Sequence, residues 1–540
     1  MRKYKIFRLA TVIYIFFITL SLHAQLPQVL WDKTIGGDSE DKMSSFFHLN
    51  DDGFLLFGTS RSNISGEKSS QPLVMFGADA WIIKFDSQWQ KQWDKVIGGY
   101  EDDIVNSVIR TADDGFLIGF SSASSKSGDK SENSRGKPYN DYWIVKINAA
   151  GNKVWDKTYG GNNDDNLSFI KLLPQGGYLL GGTSLSGATG DKTKDSYGWQ
   201  DYWIIKIDTA GNMEWDQVYG GEKYDVLSGI FIAYDGYILT GKSNSPVSGN
   251  KTDPGNGSDD IWLVKIDYDG NKIWDRCYGG DDNESSPGLI KTGNNGFLIS
   301  SLSKSGISGD KTTDKIGAGD SWYLKVDTDW NIQWDKTIGT IWIDKLGSPR
   351  KTDDGHYLLI GEHVIQEGIP GSLIDKGDRW IMKTDTFMNV VWEYKYGGTN
   401  DDNSGPVIVL DDNTEILIGG NSNSNISGQK TENSRGGVDF WITKVKLSEG
   451  IQSGYKNFLS ENILHVYPNP VETELLFLDA GNDYMIQAEI YNLSGIPVII
   501  TGNINNNHTQ MDISGLSPGL YFIRVSITGG KIFNQKVIRL

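Results

Sequence analysis

Two series of carboxylates recur in register along the chain, and their type and spacing are the first hint of chemistry. One series lies four residues past the second position of a Gly-Gly step or its variant: Asp41, Asp103, Asp165, Asp225, Glu284, Asp344 and Asp402. The other lies two residues before a tryptophan: Asp79, Asp141, Asp201, Asp260, Asp320, Asp378 and Asp439. Rings of carboxylate suit Ca²⁺, which takes several oxygen ligands at once. The first series is therefore the candidate Ca²⁺ set. A structural reading is favoured beside it, because Asp at a strand entry accepts backbone N–H bonds and fixes a turn. A residue present in every copy of a repeat serves the scaffold.

A site for one ligand should instead break the repeat. Tyr139, Tyr197 and Trp199 (in "DSYGWQD"), Trp342 (in "GTIWID") and His363 (in "GEHVIQEGIPGSLIDKGD") do so. Exposed aromatics beside acids suit sugar rings, protein contacts or plain loop packing. The histidines at 23, 48, 356, 363, 465 and 508 show no metalloprotease or zinc spacing. No nucleophile elbow or phosphate loop stands out. Paired carboxylates can serve glycoside hydrolysis, but among 69 acidic residues such pairs are unavoidable. No catalytic residue is assigned, and no cofactor beyond the Ca²⁺ candidate. The reading is a binding module for glycan or protein that leans away from catalysis. The alternative is a secreted polysaccharide hydrolase or lyase.

The formal charge of −18 argues against nucleic acid or an anionic membrane as partner. The opening "MRKYKIFRLATVIYIFFITLSLHAQ" has a basic head, an apolar run and a small residue at Ala24. It reads as a signal peptide over 1–24, cut before Gln25. Cys277 is the single cysteine, so no disulfide framework holds the chain together. Packing must do so, and a monomer is expected.

What positions these residues is a repeat. A tryptophan followed by an acid recurs at Trp31, Trp93, Trp155, Trp215, Trp274, Trp334 and Trp392, and a second series at Trp81, Trp143, Trp203, Trp262, Trp322, Trp380 and Trp441. A period near sixty residues is one supersecondary unit copied. Each unit reads as four strands: an apolar strand, a turn such as "DDGF", a second strand, a polar loop often "SGDKT", the "WIIKID" strand, a turn, and "WDKTYGG". Glycine is high at 65, which suits such turns. Seven four-strand units imply an all-β, seven-bladed β-propeller over 25–446, with a stacked solenoid as the alternative. The phase favours the ring. The array begins with a lone fourth strand, "QVLWDKTIGG", and ends with a lone third strand, "FWITKVK"; pairing them removes open edges. The tryptophans are expected between neighbouring blades. The long loops gather on one face, the expected working surface. The phrase with Asp208, Gly211 and Trp215 resembles the tryptophan-docking motif of quinoprotein propellers, one residue shorter between Asp and Gly.

After a linker at 447–462 the period vanishes. Residues 463–540 alternate short strands with Gly, Pro and Asn turns, which reads as a small β-sandwich. Four motifs occur in order: "YPNP" (Tyr467, Pro468, Asn469, Pro470), "IYNLSG" ending at Gly495, "L-x-x-G-x-Y" with Gly519 and Tyr521, and "K-x-x-x-x-K" ending at Lys536. These residues resemble the type A C-terminal sorting domain of the type IX secretion system. The resemblance implies a Gram-negative cell, Sec passage, and export to the medium or the outer surface. There such cargo is released or fixed to lipopolysaccharide. The body resembles, more loosely, WDK-T-x-GG propeller repeats.

Overall fold

The computed structural model describes residues 27–447 and 464–539, apart from 75–76, 293–295, 353, 370–371, 411–413, 468–470, 472–473, 481–483, 493–495 and 528–531. The expected signal peptide and nearly all of the expected linker lie outside the described residues. The described residues are all-β, without a helix, and the body is a run of antiparallel four-stranded sheets.

In the first sheet the order is Asp41–His48, Phe54–Ser60, Asp79–Phe85, Lys91–Ile97. The same order repeats over 103–159, 165–219, 225–278, 284–338 and 343–396. The last sheet of the body holds Asp402–Val409, Glu415–Ser422 and Asp439–Lys446, and its fourth strand is Gln28–Ile35 from the other end of the chain. Trp31 there faces Lys444, and Thr34 faces Trp441. The sixth sheet departs from the pattern. Its central hairpin, Tyr357–Ile369 with Ser372–Thr384, runs well past its neighbours, and Arg350–Lys351 is an extra short strand.

Turn chemistry sets the hairpins. Between the third and fourth strands of the third sheet, Asp208 Oδ1 accepts Ala210 N–H and Asn212 N–H, both at 2.8 Å, and Gly211 takes a φ of 82°. Asp267, Asp327 and Asp385 repeat this arrangement. The side chain imitates a turn of backbone, and the left-handed residue favours glycine.

The first strands of the first five sheets pack on one another in turn, and the first strand of the first sheet packs on the first three strands of the last sheet. Between the sheets sit the third-strand tryptophans, each at most 2% exposed. Trp203 meets Tyr142 of the preceding sheet at 4.9 Å, Trp262 meets Tyr202 at 4.9 Å, and Trp81 meets Phe440 at 5.5 Å. The fourth-strand tryptophans do not share this burial. Trp31, Trp93, Trp155, Trp215, Trp274, Trp334 and Trp392 are half-buried, because the fourth strand is the outer edge of its sheet. The expected fourteen wedges thus divide into seven buried wedges and seven edge residues.

The C-terminal region has its own core. A three-stranded sheet (His465–Tyr467, Leu475–Asp479, His508–Asp512) and a four-stranded sheet (Met485–Tyr491, Pro497–Asn506, Gly519–Ile527, Ile532–Arg539) share it. Val471, Leu476, Ile490, Ile523 and Val537 are fully buried there.

Candidate functional site

The loops on the long-loop side are built around the Gly-Gly step. In the third and fourth sheets, Asp225 Oδ2 accepts Gly221 N–H at 2.7 Å and the Ser245 hydroxyl at 2.9 Å. Asp41, Asp103, Asp165 and Asp402 make the same two bonds with their own glycine and serine. Glu284, one methylene longer, accepts Gly280 N–H and the hydroxyls of both Ser303 and Ser305. Asp344 accepts Thr340 N–H and bonds His363. All seven are buried.

The second acid series caps the loops that enter the third strands. Asp141 accepts Arg135 N–H at 2.7 Å, Asp260 accepts Asn256 N–H at 2.8 Å, and Asp439 accepts Arg435 N–H at 2.7 Å. The two series meet at the first glycine of each Gly-Gly step. A Cβ on Gly279 would lie 1.8 Å from Asp260 Oδ1 and 2.7 Å from Glu284 Oε2. One on Gly221 would lie 2.6 Å from Ser245 Cβ. Both glycines are therefore required by space.

Six of the seven junctions between sheets thus hold two buried carboxyls; at the seventh, Asp378 is half-buried beside the buried Asp402. Burial, then the charge of Asp103, pushes Asp79 up to about 7. Burial, then Asp402, pushes Asp378 up to about 6. Burial raises Asp165 and Asp439 to about 6 despite their hydrogen bonds, and raises Asp201, with Asp225 adding to it. Among the described residues no group of three or more His, Cys, Asp or Glu converges as a metal site.

A lysine from the "SGDKT" loop enters most of these junctions. Lys68, Lys130, Lys192, Lys251, Lys311 and Lys430 are at most 3% exposed. Lys68 Nζ donates to Ser60 Oγ and to the Ser62 carbonyl, both at 2.7 Å. Lys430 Nζ lies 5.4 Å from the centre of the Trp441 ring. Desolvation pushes Lys130 and Lys430 down to about 8 against the pull of nearby carboxylates. The residue after the lysine secures the loop to the fourth strand. Thr252 N–H and hydroxyl both go to Asp275, which also accepts Trp262 Nε1–H at 3.0 Å. Burial works against the Asp275 charge, but hydrogen bonds from Lys272, Thr252 and Trp262 outweigh it and hold the carboxyl below its usual range. The "WD" acid is thus a buckle. The "SGDKT" loop, expected as working surface, is a clasp between sheets: Asp129 N–H and Asp310 N–H reach the first glycine carbonyls of the preceding sheets at 2.8 Å.

The repeat-breaking residues lie apart. Tyr139 and Trp199 occupy equivalent positions at successive junctions, each just before the residue whose carbonyl accepts the N–H of the first-series Asp (Asn140 to Asp165, Gln200 to Asp225). They are 41% and 65% exposed. Trp199 meets the exposed Tyr224 edge-on at 5.3 Å. Tyr197 is exposed and lies against Gly249 of the next sheet. Trp342 is half-buried at the junction of the fifth and sixth sheets, where its carbonyl accepts Ala318 N–H at 3.1 Å. It is therefore at a different junction from Trp199. His363 is buried, with Nδ1 2.7 Å from Asp344 Oδ1. Tyr224 was missed in the sequence, although it stands where other copies have Glu40, Asp102, Asp164, Asn283, Ile343 and Asp401.

Of the C-terminal motif residues, Tyr467 closes the strand His465–Tyr467 and Gly519 opens Gly519–Ile527. The Tyr521 hydroxyl donates to the Ser517 carbonyl at 2.9 Å, and Lys536 stands opposite Phe522. Pro468, Asn469, Pro470 and Gly495 lie outside the described residues. A family model described as a secretion system C-terminal sorting domain matches residues 465–539. Residues 465–539 are a type IX secretion sorting domain. The sorting domain marks the chain as cargo of the type IX machinery, its partner, exported to the extracellular space or the cell surface.

No curated protein matches the chain. Among solved structures it is similar to a protein of unknown function from Dyadobacter fermentans (8% identity, 78% of this chain, 99% of that one, TM-score 0.36). It is also similar to Sqt1 from Chaetomium thermophilum (9%, 76%, 98%, 0.38) and to an α-L-arabinofuranosidase from Fusarium graminearum (13%, 65%, 94%, 0.35). None of these likenesses transfers a function.

Proposed function

We propose that the sorting-domain cargo is a seven-bladed β-propeller that binds glycan at the surface of the cell or in the medium, without catalysis. The ring reading is supported by the strand that joins the two ends of the body in one sheet, and by the packing of the first sheet on the last. The observation that carries the binding reading is the exposed Trp199–Tyr224 pair. The positions equivalent to Trp199 hold Gly77, Ser258, Ala318 and Gly437 in other copies, so the scaffold does not need an aromatic there. Tyr139 is exposed at the equivalent position of the neighbouring junction. Aromatic faces beside acids and amides stack on the apolar face of a sugar while its hydroxyls find polar partners.

Hydrolysis or lysis of polysaccharide is the alternative, and it requires carboxyls that face a sugar. The paired carboxyls here are buried, save the half-buried Asp378, and they accept from backbone N–H groups and, in most of the first series, from serine hydroxyls. Lipopolysaccharide attachment follows from the sorting domain as a proposal of the same kind.

The test is a glycan array probed with the secreted protein and with Trp199→Ala, followed by a product assay on each hit. Specific binding that falls at least about tenfold with Trp199→Ala, without turnover, supports the reading. Turnover of a hit, or binding indifferent to Trp199, overturns it.

A further inference from the structure

A cavity of about 650 Å³ opens where the first strands of consecutive sheets meet. Asn106, Ser168, Phe169, Lys171, Phe231 and Ser348 line it, with further serine hydroxyls from Ser228 and Ser286. Its size is in the range of small-molecule sites. Gly229 and Gly288 also line it and place no side chain in the space.

Lys171 is the sole charged residue of the lining. It also breaks the repeat. The residue facing the second strand at this register is Phe47, Ile109, Phe231, Ile290 or Ile408 in five other sheets, and Arg350 in the sixth. An aliphatic residue would satisfy the packing, so the ammonium answers some other need. Desolvation lowers the Lys171 pKa, and among the described residues no carboxylate or hydrogen bond acts to restore it. A half-buried cation without a counter-ion, in a chain this acidic, is costly unless a ligand brings the charge.

We propose that this cavity binds a carboxylate-bearing sugar, a uronic acid or the acidic end of a short glycan, with its carboxylate on Lys171. The hydroxyl-rich wall of Ser168, Ser228, Ser286 and Ser348 with Asn106 suits sugar hydroxyls, and the rings of Phe169 and Phe231 suit the C–H face of a pyranose. Inorganic phosphate could use the charge and accept from the hydroxyls, but it has no C–H face to lay on the rings. This site is separate from the Trp199 patch.

The experiment is calorimetric titration of the full secreted chain with glucuronate, glucose and inorganic phosphate. Glucuronate is expected to bind at least about tenfold tighter than either, since the charge-assisted bond and the sugar contacts are both needed. Lys171→Met is expected to weaken glucuronate at least about tenfold while Lys171→Arg retains it. Lys171→Gln gives the same reading if the methionine variant folds poorly. Equal binding of glucose, equal binding of phosphate, or indifference to Lys171 would each overturn the assignment.

Discussion

His363 Nδ1 lies 2.7 Å from Asp344 Oδ1, at a register position that holds serine in every other sheet of the body. The six serines are Ser60, Ser122, Ser184, Ser243, Ser303 and Ser422, each opposite its first-series acid. Histidine therefore does the task of serine in the one sheet that also lacks the "SGDKT" clasp. His363→Ser should cost less than about 1 kcal/mol. His363→Leu leaves a buried carboxylate short of a partner and should cost about 1–3 kcal/mol. Chemical denaturation of the two variants checks this. A leucine variant as stable as the serine one would mean that Asp344 does not depend on the bond.

The carboxyl pairs at the junctions give stability an unusual pH dependence. Unfolded, these groups titrate near 4. Folded, Asp79 titrates at about 7 and Asp165, Asp378 and Asp439 at about 6. Between those values the folded chain holds protons that the unfolded chain has lost, so stability falls as pH rises through 4 to 7. Asp156 and Asp335 act in the other direction: burial opposes their charge, but hydrogen bonds outweigh it and lower both, so their contribution is lost below about 4. Thermal melting should therefore be highest near pH 4–5 and fall by several degrees towards pH 8. A Tm that rises steadily from pH 5 to pH 8 would refute the pairing.

The sequence carried the sheets because each copy repeats a tryptophan, a Gly-Gly step and a turn at fixed offsets. The partnership of Gln28–Ile35 with Asp439–Lys446 was legible from the phase of the repeat alone. The chemistry of the junctions was not. Asp79 and Asp103 are twenty-four residues apart and belong to different copies, so only the packing of one sheet on the next brings them together. Lys311 sits in a polar loop, and polarity suggests solvent, yet its ammonium is turned inward onto Thr337. Tyr224 and Lys171 were passed over for one reason: each is ordinary in its own segment and becomes conspicuous only against the register of the other copies.

The two tryptophan series should separate cleanly in energy. Trp262 is fully buried between sheets and donates to Asp275. Its replacement by alanine should cost about 3–5 kcal/mol through lost burial and the cavity left behind. Trp274, half-buried on the edge strand of the same sheet, should cost about 1–2 kcal/mol. Denaturant midpoints of the two variants decide the matter. Equal costs would mean that the outer edge is covered by something these sheets do not show.

Calcium tests what the first acid series is for. Ca²⁺ takes six to eight oxygens, whereas each first-series acid spends its side chain on protein donors at its own junction, as Asp225 does with Gly221 and Ser245. The remaining Oδ1 atoms of Asp225 and Asp201 have no hydrogen-bond partner among the described residues, and a shared proton at their common junction would settle them without an ion. On that account millimolar Ca²⁺ should move Tm by less than about 1 °C at pH 5, where the pairs hold their protons. A chelator should likewise leave Tm unchanged. If Ca²⁺ instead raised Tm by several degrees, and more at pH 8 than at pH 5, the ion would be binding the deprotonated pairs. The repeated carboxyls Asp41, Asp103, Asp165, Asp225, Glu284, Asp344 and Asp402 would then be a metal ring after all.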